Sequence, residues 1–208
     1  MAARVYVAEM NGASWSKGNM TLLSGNGVGL TARYCTTDAA QPAQTFPIPI
    51  PDSGHNPSYV KTHFLWISGT TSGGGGTNTF TYVSSIRWYA DNSMFNWGST
   101  KASGVVLVGS GNSSYWGVAS GSYSQATGTQ GTSGQYLTDL ASIDGSSNVE
   151  SFYDLDHCLT VDERKIVPND TAQFVYSKAL LHQCWVGANA SSGNPGTETF
   201  TWVWDEVS

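Results

Sequence analysis

The densest group of residues able to do chemistry is Asp154-Leu155-Asp156-His157-Cys158, with Asp162-Glu163 close behind. On a strand, alternation would put Asp154 and Asp156 on one face. Two such carboxylates with loop carbonyls could hold Ca²⁺. His157 and Cys158 are zinc-ligand types, but no second pair stands at finger spacing. The spacing matches no cation-loop signature. A solvated acidic loop at a sheet end is the favoured reading, and no metal or cofactor is expected. The four histidines, His55, His63, His157 and His182, are scattered. His182 falls on the face of Phe174, Leu180 and Cys184, where a lone histidine is usually a hydrogen-bonded core residue. A Cys-His nucleophile pair, Cys184 or Cys158 with His182, would need contacts that spacing does not give. No Gly-x-Ser-x-Gly elbow occurs. Carboxylates for glycoside hydrolysis would come from Glu150, Asp154, Glu163 or Glu198, none of which differs from a surface carboxylate. The chain is expected not to be an enzyme.

The elements that must position these groups are strands. The runs Gln173–Val186 and Glu198–Val207 alternate apolar and polar residues, and a breaker-rich stretch, Gly187–Gly196, separates them. They read as an antiparallel strand pair, with Phe200, Trp202 and Trp204 on one face. The expected facing layer is Phe64, Trp66, Phe80, Ile86 and Trp88. Further strands are expected near Arg4–Glu9, Gly27–Thr37, Ser58–Ser68, Thr79–Tyr89 and Val105–Val108, with weaker ones at Val149–Tyr153 and Thr160–Val167. Leu137–Ile143 is the one expected helical turn. Alternate prolines in Thr45–Pro51 cannot donate to a ladder, so that stretch is expected as an extended connector or an edge segment in polyproline conformation. Four consecutive glycines within Gly69–Thr77 lack the Lys-Ser/Thr of a phosphate loop and read as a hairpin connection. Recurrent short strands with turn signals predict an all-β chain: a single antiparallel β-sandwich, jelly-roll-like, with long Gly/Ser-rich loops. Residues 1–26 form an N-terminal strand or arm and loop, and residues 27–208 the sandwich domain.

Composition narrows the function. Charged residues make up 12% of the 208, net charge is −6, and the only adjacent basic pair is Arg164-Lys165. Direct nucleic-acid binding, which leans on clustered Lys and Arg, is not expected. Three cysteines, Cys35, Cys158 and Cys184, cannot complete a disulfide framework. Glu9, Asn11 and Ser14 interrupt the N-terminal region, so no signal peptide is expected, and no apolar run is long enough for a membrane helix. The aromatics in expected loops, Trp15, Phe95, Trp97, Tyr115, Trp116 and Tyr123, are the candidate interaction residues. Such side chains can stack on sugar rings or anchor a protein contact.

Four segments carry a resemblance: Pro51-Asp-Ser-Gly-His-Asn-Pro-Ser-Tyr59, Val83-Ser-Ser-Ile-Arg-Trp-Tyr-Ala-Asp91, Gln125–Gly134, and Gly196-Thr-Glu-Thr-Phe-Thr-Trp-Val-Trp-Asp-Glu206. In this order they resemble poorly characterised phage and prophage proteins found beside head and tail genes. The resemblance implies a virion structural protein, made in the host cytoplasm, and for an acidic chain a capsid decoration (cement) role. Its partners would be the major capsid protein and copies of itself. The alternative is a carbohydrate- or receptor-binding tail module, with a glycan as ligand. The resemblance brings no binding residues with it.

Overall fold

The computed structural model describes residues 4–11, 19–25, 28–37, 39–40, 47–68, 82–90, 104–111, 143–148, 152–167, 175–193 and 199–207. Within them the chain is all-β, with eleven strands and no α-helix. The strands are β1 (Arg4–Met10), β2 (Met20–Gly25), β3 (Val28–Gly29), β4 (His55–Pro57), β5 (Lys61–Ser68), β6 (Tyr82–Ala90), β7 (Gly104–Gly111), β8 (Ile143–Asn148), β9 (Leu159–Asp162), β10 (Ala179–Gly187) and β11 (Phe200–Val207). They form two antiparallel sheets. The larger runs β3-β2-β1-β5-β10-β7-β8, with β4 also pairing β10, and the smaller runs β11-β6-β9. This is a sandwich of unequal layers. The even division of strands that a jelly roll would show is not seen among the described residues.

Alternation explains the core. On the larger sheet Leu65, Ile67, Leu180, Cys184 and Val186 share one face, joined at its border by Val5 and Val7. They meet Val83, Ile86, Trp88, Ala90 and Trp202 of the smaller sheet in one buried cluster. Phe64 and Trp66, expected in that layer, project from the opposite face and pack instead with Ala8, Met10, Met20 and Leu22. A strand buried on both faces leaves the choice of layer open to sequence reading.

One pairing expectation is corrected. β10 and β11 do not pair: β10 lies between β5 and β7, and β11 pairs β6. Hairpin loops are typically 2–5 residues. The stretch after Gly187 is longer, and it carries the chain from one sheet to the other. The alternation of β6 also changes phase. From Val203 to Asp205 on β11, two steps face three on β6, from Arg87 to Ser84. Ser85, at φ 51°, sits in this bulge. The extra residue lets Val83 join Ile86 and Trp88 in the core, although unbroken alternation sets Val83 on the other face. Left-handed backbone penalises a β-branched side chain most. Ser85→Val is therefore expected to lose about 1–2 kcal/mol in urea denaturation, and Ser85→Gly to lose nothing or gain slightly.

β1 is an internal strand, held by β2 on one side and β5 on the other. The expected strand Gly27–Thr37 is strand only at Val28–Gly29, and residues 30–37 are irregular. Ile143, the last residue of the expected helical turn, begins β8, and residues 137–142 lie outside the described set.

Candidate functional site

The strand register assembles a polar group where alternation would place core residues. Glu9 lies on the Val5–Val7 face of β1, and its register partner on β5 is His63. Lys61 is two residues from His63, hence on the same face, and its partner on β10 is His182. Four polar side chains from three adjacent strands thus point between the sheets. All are buried: Glu9 is 0% exposed, Lys61 1%, His182 2% and His63 3%.

They satisfy one another. Glu9 Oε1 accepts from Lys61 Nζ at 3.1 Å and from Asn11 Nδ2 at 2.9 Å. Glu9 Oε2 lies 2.9 Å from His63 Nε2. His63 Nδ1 lies 2.9 Å from His182 Nε2, and His182 Nδ1 lies 2.7 Å from the Tyr34 hydroxyl. Lys61 Nζ also donates to the Ala39 carbonyl. Phe200 of β11 closes the site from the other sheet, its ring edge-on to His182 at 5.2 Å.

Charge and proton counting fix the direction of this chain. The Glu9 carboxylate and the Lys61 ammonium cancel. A further buried cation would be strongly disfavoured, so both imidazoles are neutral. Glu9 can only accept, so His63 donates from Nε2 and accepts at Nδ1. His182 then donates from Nε2, accepts at Nδ1, and receives the Tyr34 hydroxyl proton. From Tyr34 through His182 and His63, each donor points toward Glu9. Burial alone would raise the Glu9 pKa, but the His63 hydrogen bond and the Lys61 charge outweigh it and hold the carboxyl at about 2. Burial pushes His182 well below the ordinary imidazole range, and the Lys61 charge adds to the effect. Burial likewise raises the Cys184 thiol, so it stays protonated.

The sequence-predicted residues fall elsewhere. Asp154 and Asp156 lie in a turn rather than on a strand. Asp154 Oδ1 accepts from both the backbone N–H and Nδ1 of His157, each at 2.8 Å, and the His157 hydrogen bond lowers the Asp154 pKa. Tyr153 stacks on His157 with ring centroids 4.3 Å apart. Among the described residues no group of three His, Cys, Asp or Glu is placed to hold a metal. Asp162 is buried and ties elements together. It accepts from Arg164 Nη2 at 2.7 Å and from the Lys178 backbone N–H at 2.7 Å, joining β9 to the approach to β10. Burial works to raise its pKa, but these hydrogen bonds bring it below the usual carboxylate range. Trp15, Phe95, Trp97, Tyr115, Trp116 and Tyr123 lie outside the described residues, as do Glu150 and Glu198. Cys35, Cys158 and Cys184 are free thiols.

The hydrogen-bonded core reading of His182 matches its place. Glu9, Lys61 and His63 as a set were missed. Their signal is a charged or imidazole residue recurring at period 2 on strands whose same-face neighbours, Val5, Val7, Leu65 and Ile67, are apolar. Each alone looks like a strand-end polar residue, and only the register brings them together.

No known protein family, no curated protein and no solved structure matches this chain.

Proposed function

We propose that this chain is a virion structural protein of the capsid-decoration type, binding major capsid protein and copies of itself without covalent chemistry. One observation supports this reading above others. Glu9, Lys61, His63 and His182 are turned into the sandwich and saturated by one another, so chemistry on a substrate has no group to use there. What remains for function is surface. A surface low in charge suits contacts that depend little on salt. Repetition on a symmetric shell turns weak single contacts into tight coverage. The resemblance of four segments to phage head- and tail-associated proteins points the same way. Such a protein would be made in the host cytoplasm and leave with the particle.

A second reading, a glycan- or receptor-binding tail module, draws on the Tyr153–His157 pair. Tyr153 is 42% exposed beside Leu155 at 47%, and a stacked aromatic platform of this kind suits a sugar ring. Immunogold microscopy with antibody to the purified chain, on particles released from cells carrying its gene, separates the two. Gold spread over the heads in many copies is expected. Gold confined to the tail tip would favour the tail module, and particles free of gold would overturn both.

A further inference from the structure

The buried polar chain ends on a segment that belongs to neither sheet. Residues 30–37, with Ala39 and Ala40, lie outside the strands, and Tyr34 packs against the core between the sheets. Besides the Leu30 N–H, which donates to the Leu23 carbonyl of β2 at 2.7 Å, three contacts near the buried chain fasten this segment. The Tyr34 hydroxyl donates to His182, the Ala39 carbonyl accepts from Lys61, and the Cys35 carbonyl accepts from the Tyr59 backbone N–H at 2.7 Å. Two of these three, at Tyr34 and Ala39, depend on members of the buried chain. We propose that Glu9, Lys61, His63 and His182 form an acid-sensitive latch that holds this covering segment closed at neutral pH and releases it in mildly acidic solution.

The argument is one of proton counting. At neutral pH one carboxylate balances one ammonium, and neither imidazole carries charge. A proton arriving from solvent has one basic site at the outer end of the chain, His182 Nδ1, the atom that accepts from Tyr34. Once Nδ1 is protonated, the Nε2 proton of His182 can pass to His63 Nδ1. The imidazolium then rests against Glu9. Atoms and charge balance: one proton enters, one moves along the chain, and no bond other than N–H changes. Two consequences follow. The interior now holds two cations and one anion, and the excess charge is out of water. The Tyr34 hydroxyl can no longer donate to His182 and must find another acceptor. Both are relieved when the segment lifts and water reaches the imidazoles.

Among the described residues, the groups facing His182 give the proton no other counter-charge. From β1 there is Glu9, already shared. From β5 there are Lys61, a cation, and His63. From β10 there is Cys184, which stays a thiol. From the covering segment there is Tyr34, and from β11 the uncharged Phe200. The depressed basicity of His182 agrees with this arrangement. In the closed form the site resists protonation. In the open form an imidazole takes up a proton near its ordinary pKa of about 6.5. The closed form is therefore fully favoured above that pH and loses ground as pH falls below it. The latch does not rest on the virion reading.

Hydrogen exchange followed by mass spectrometry, corrected for the intrinsic pH dependence of exchange, tests it. Between pH 7.5 and 5.0, exchange in a peptide covering residues 30–37 is expected to rise about tenfold or more, since one proton over 1.5 pH units below 6.5 allows at most about 30-fold. Peptides from β5 and β10 should keep their protection. His182→Gln should flatten the pH response. Lys61→Met is the sharper variant. Without the ammonium, the carboxylate is free to balance an imidazolium, so the segment should no longer open on acidification, whatever its protection at pH 7.5. A pH-independent wild-type segment would overturn the latch. So would an unchanged response in Lys61→Met, or simultaneous opening of every peptide.

Discussion

Glu9→Ala is expected to destabilise the protein by about 3–5 kcal/mol at pH 7, measured by urea denaturation. That is a large part of the 5–15 kcal/mol typical of a folded domain. The reason lies less in the hydrogen bonds removed than in the partners left behind. Glu9 is 0% exposed and receives Lys61 Nζ, His63 Nε2 and Asn11 Nδ2. Removing it strands an ammonium and an imidazole N–H in an apolar interior between Leu65, Leu180 and Phe200. If that is the mechanism, replacing the charge pair together should hurt less than the sum. Glu9→Leu combined with Lys61→Met removes both charges and takes these partners only from neutral groups, of which the buried His63 N–H costs most, about 1–3 kcal/mol. The double variant should therefore be more stable than Glu9→Ala. A double variant as unstable as the two single replacements added together would mean that the pair is not coupled.

The same carboxylate sets the acid limit of the fold. Its pKa lies at about 2 in the folded protein against 4.5 for an ordinary glutamate. A depressed acid contributes stability above the unfolded value and loses it as pH falls through the folded one. At roughly 1.4 kcal/mol per unit this amounts to about 3 kcal/mol, lost between pH 4.5 and 2. His182 acts in a higher window, below about pH 6.5. Acid should thus weaken the structure in two stages, first the covering segment and then the sheets.

Trp88→Ala is the second large effect, expected to cost about 3–5 kcal/mol in the same denaturation measurement. Trp88 is fully buried on the central strand of the smaller sheet, and its register partner on β11 is Trp202. Its ring lies edge-on to Phe200 at 4.9 Å and to Phe152 at 6.4 Å. Phe200 in turn covers His182, so the cavity would open beside the polar chain as well as between the sheets. Trp88→Phe should cost clearly less. It leaves a smaller void and removes an indole N–H that meets no acceptor among the described residues. Equal losses for the two variants would show that packing around Trp88 is not what stabilises this layer.

How much of this could be read from the chain follows from the range of each signal. Alternation and turn residues are local, so the all-β architecture and the strand character of 179–187 and 200–207 were legible. Pairing is not local. β10 and β11 are neighbours in sequence yet belong to different sheets, because a long loop permits either outcome. The bulge at Ser85 left only a doubled serine as its trace, yet it moves Val83 from one face to the other. Glu9 looked like an interruption in a short strand. Its meaning came only when the register set it opposite His63 and beside Lys61. The histidine on the β10 face was readable as a buried, hydrogen-bonded residue because its neighbours there are Leu180 and Cys184. Its partner Tyr34 was not, since the segment that carries it follows no period.

The claim on which both the sealed interior and the latch depend is the protonation of the two histidines. Nitrogen-15 NMR of the imidazole rings at pH 7 reads it directly. Both His63 and His182 are expected as neutral rings protonated at Nε2, each with a slowly exchanging ring N–H proton, and the His63 proton shifted far downfield by Glu9. An imidazolium signal from either ring, or a proton on Nδ1 of either at that pH, would contradict the account.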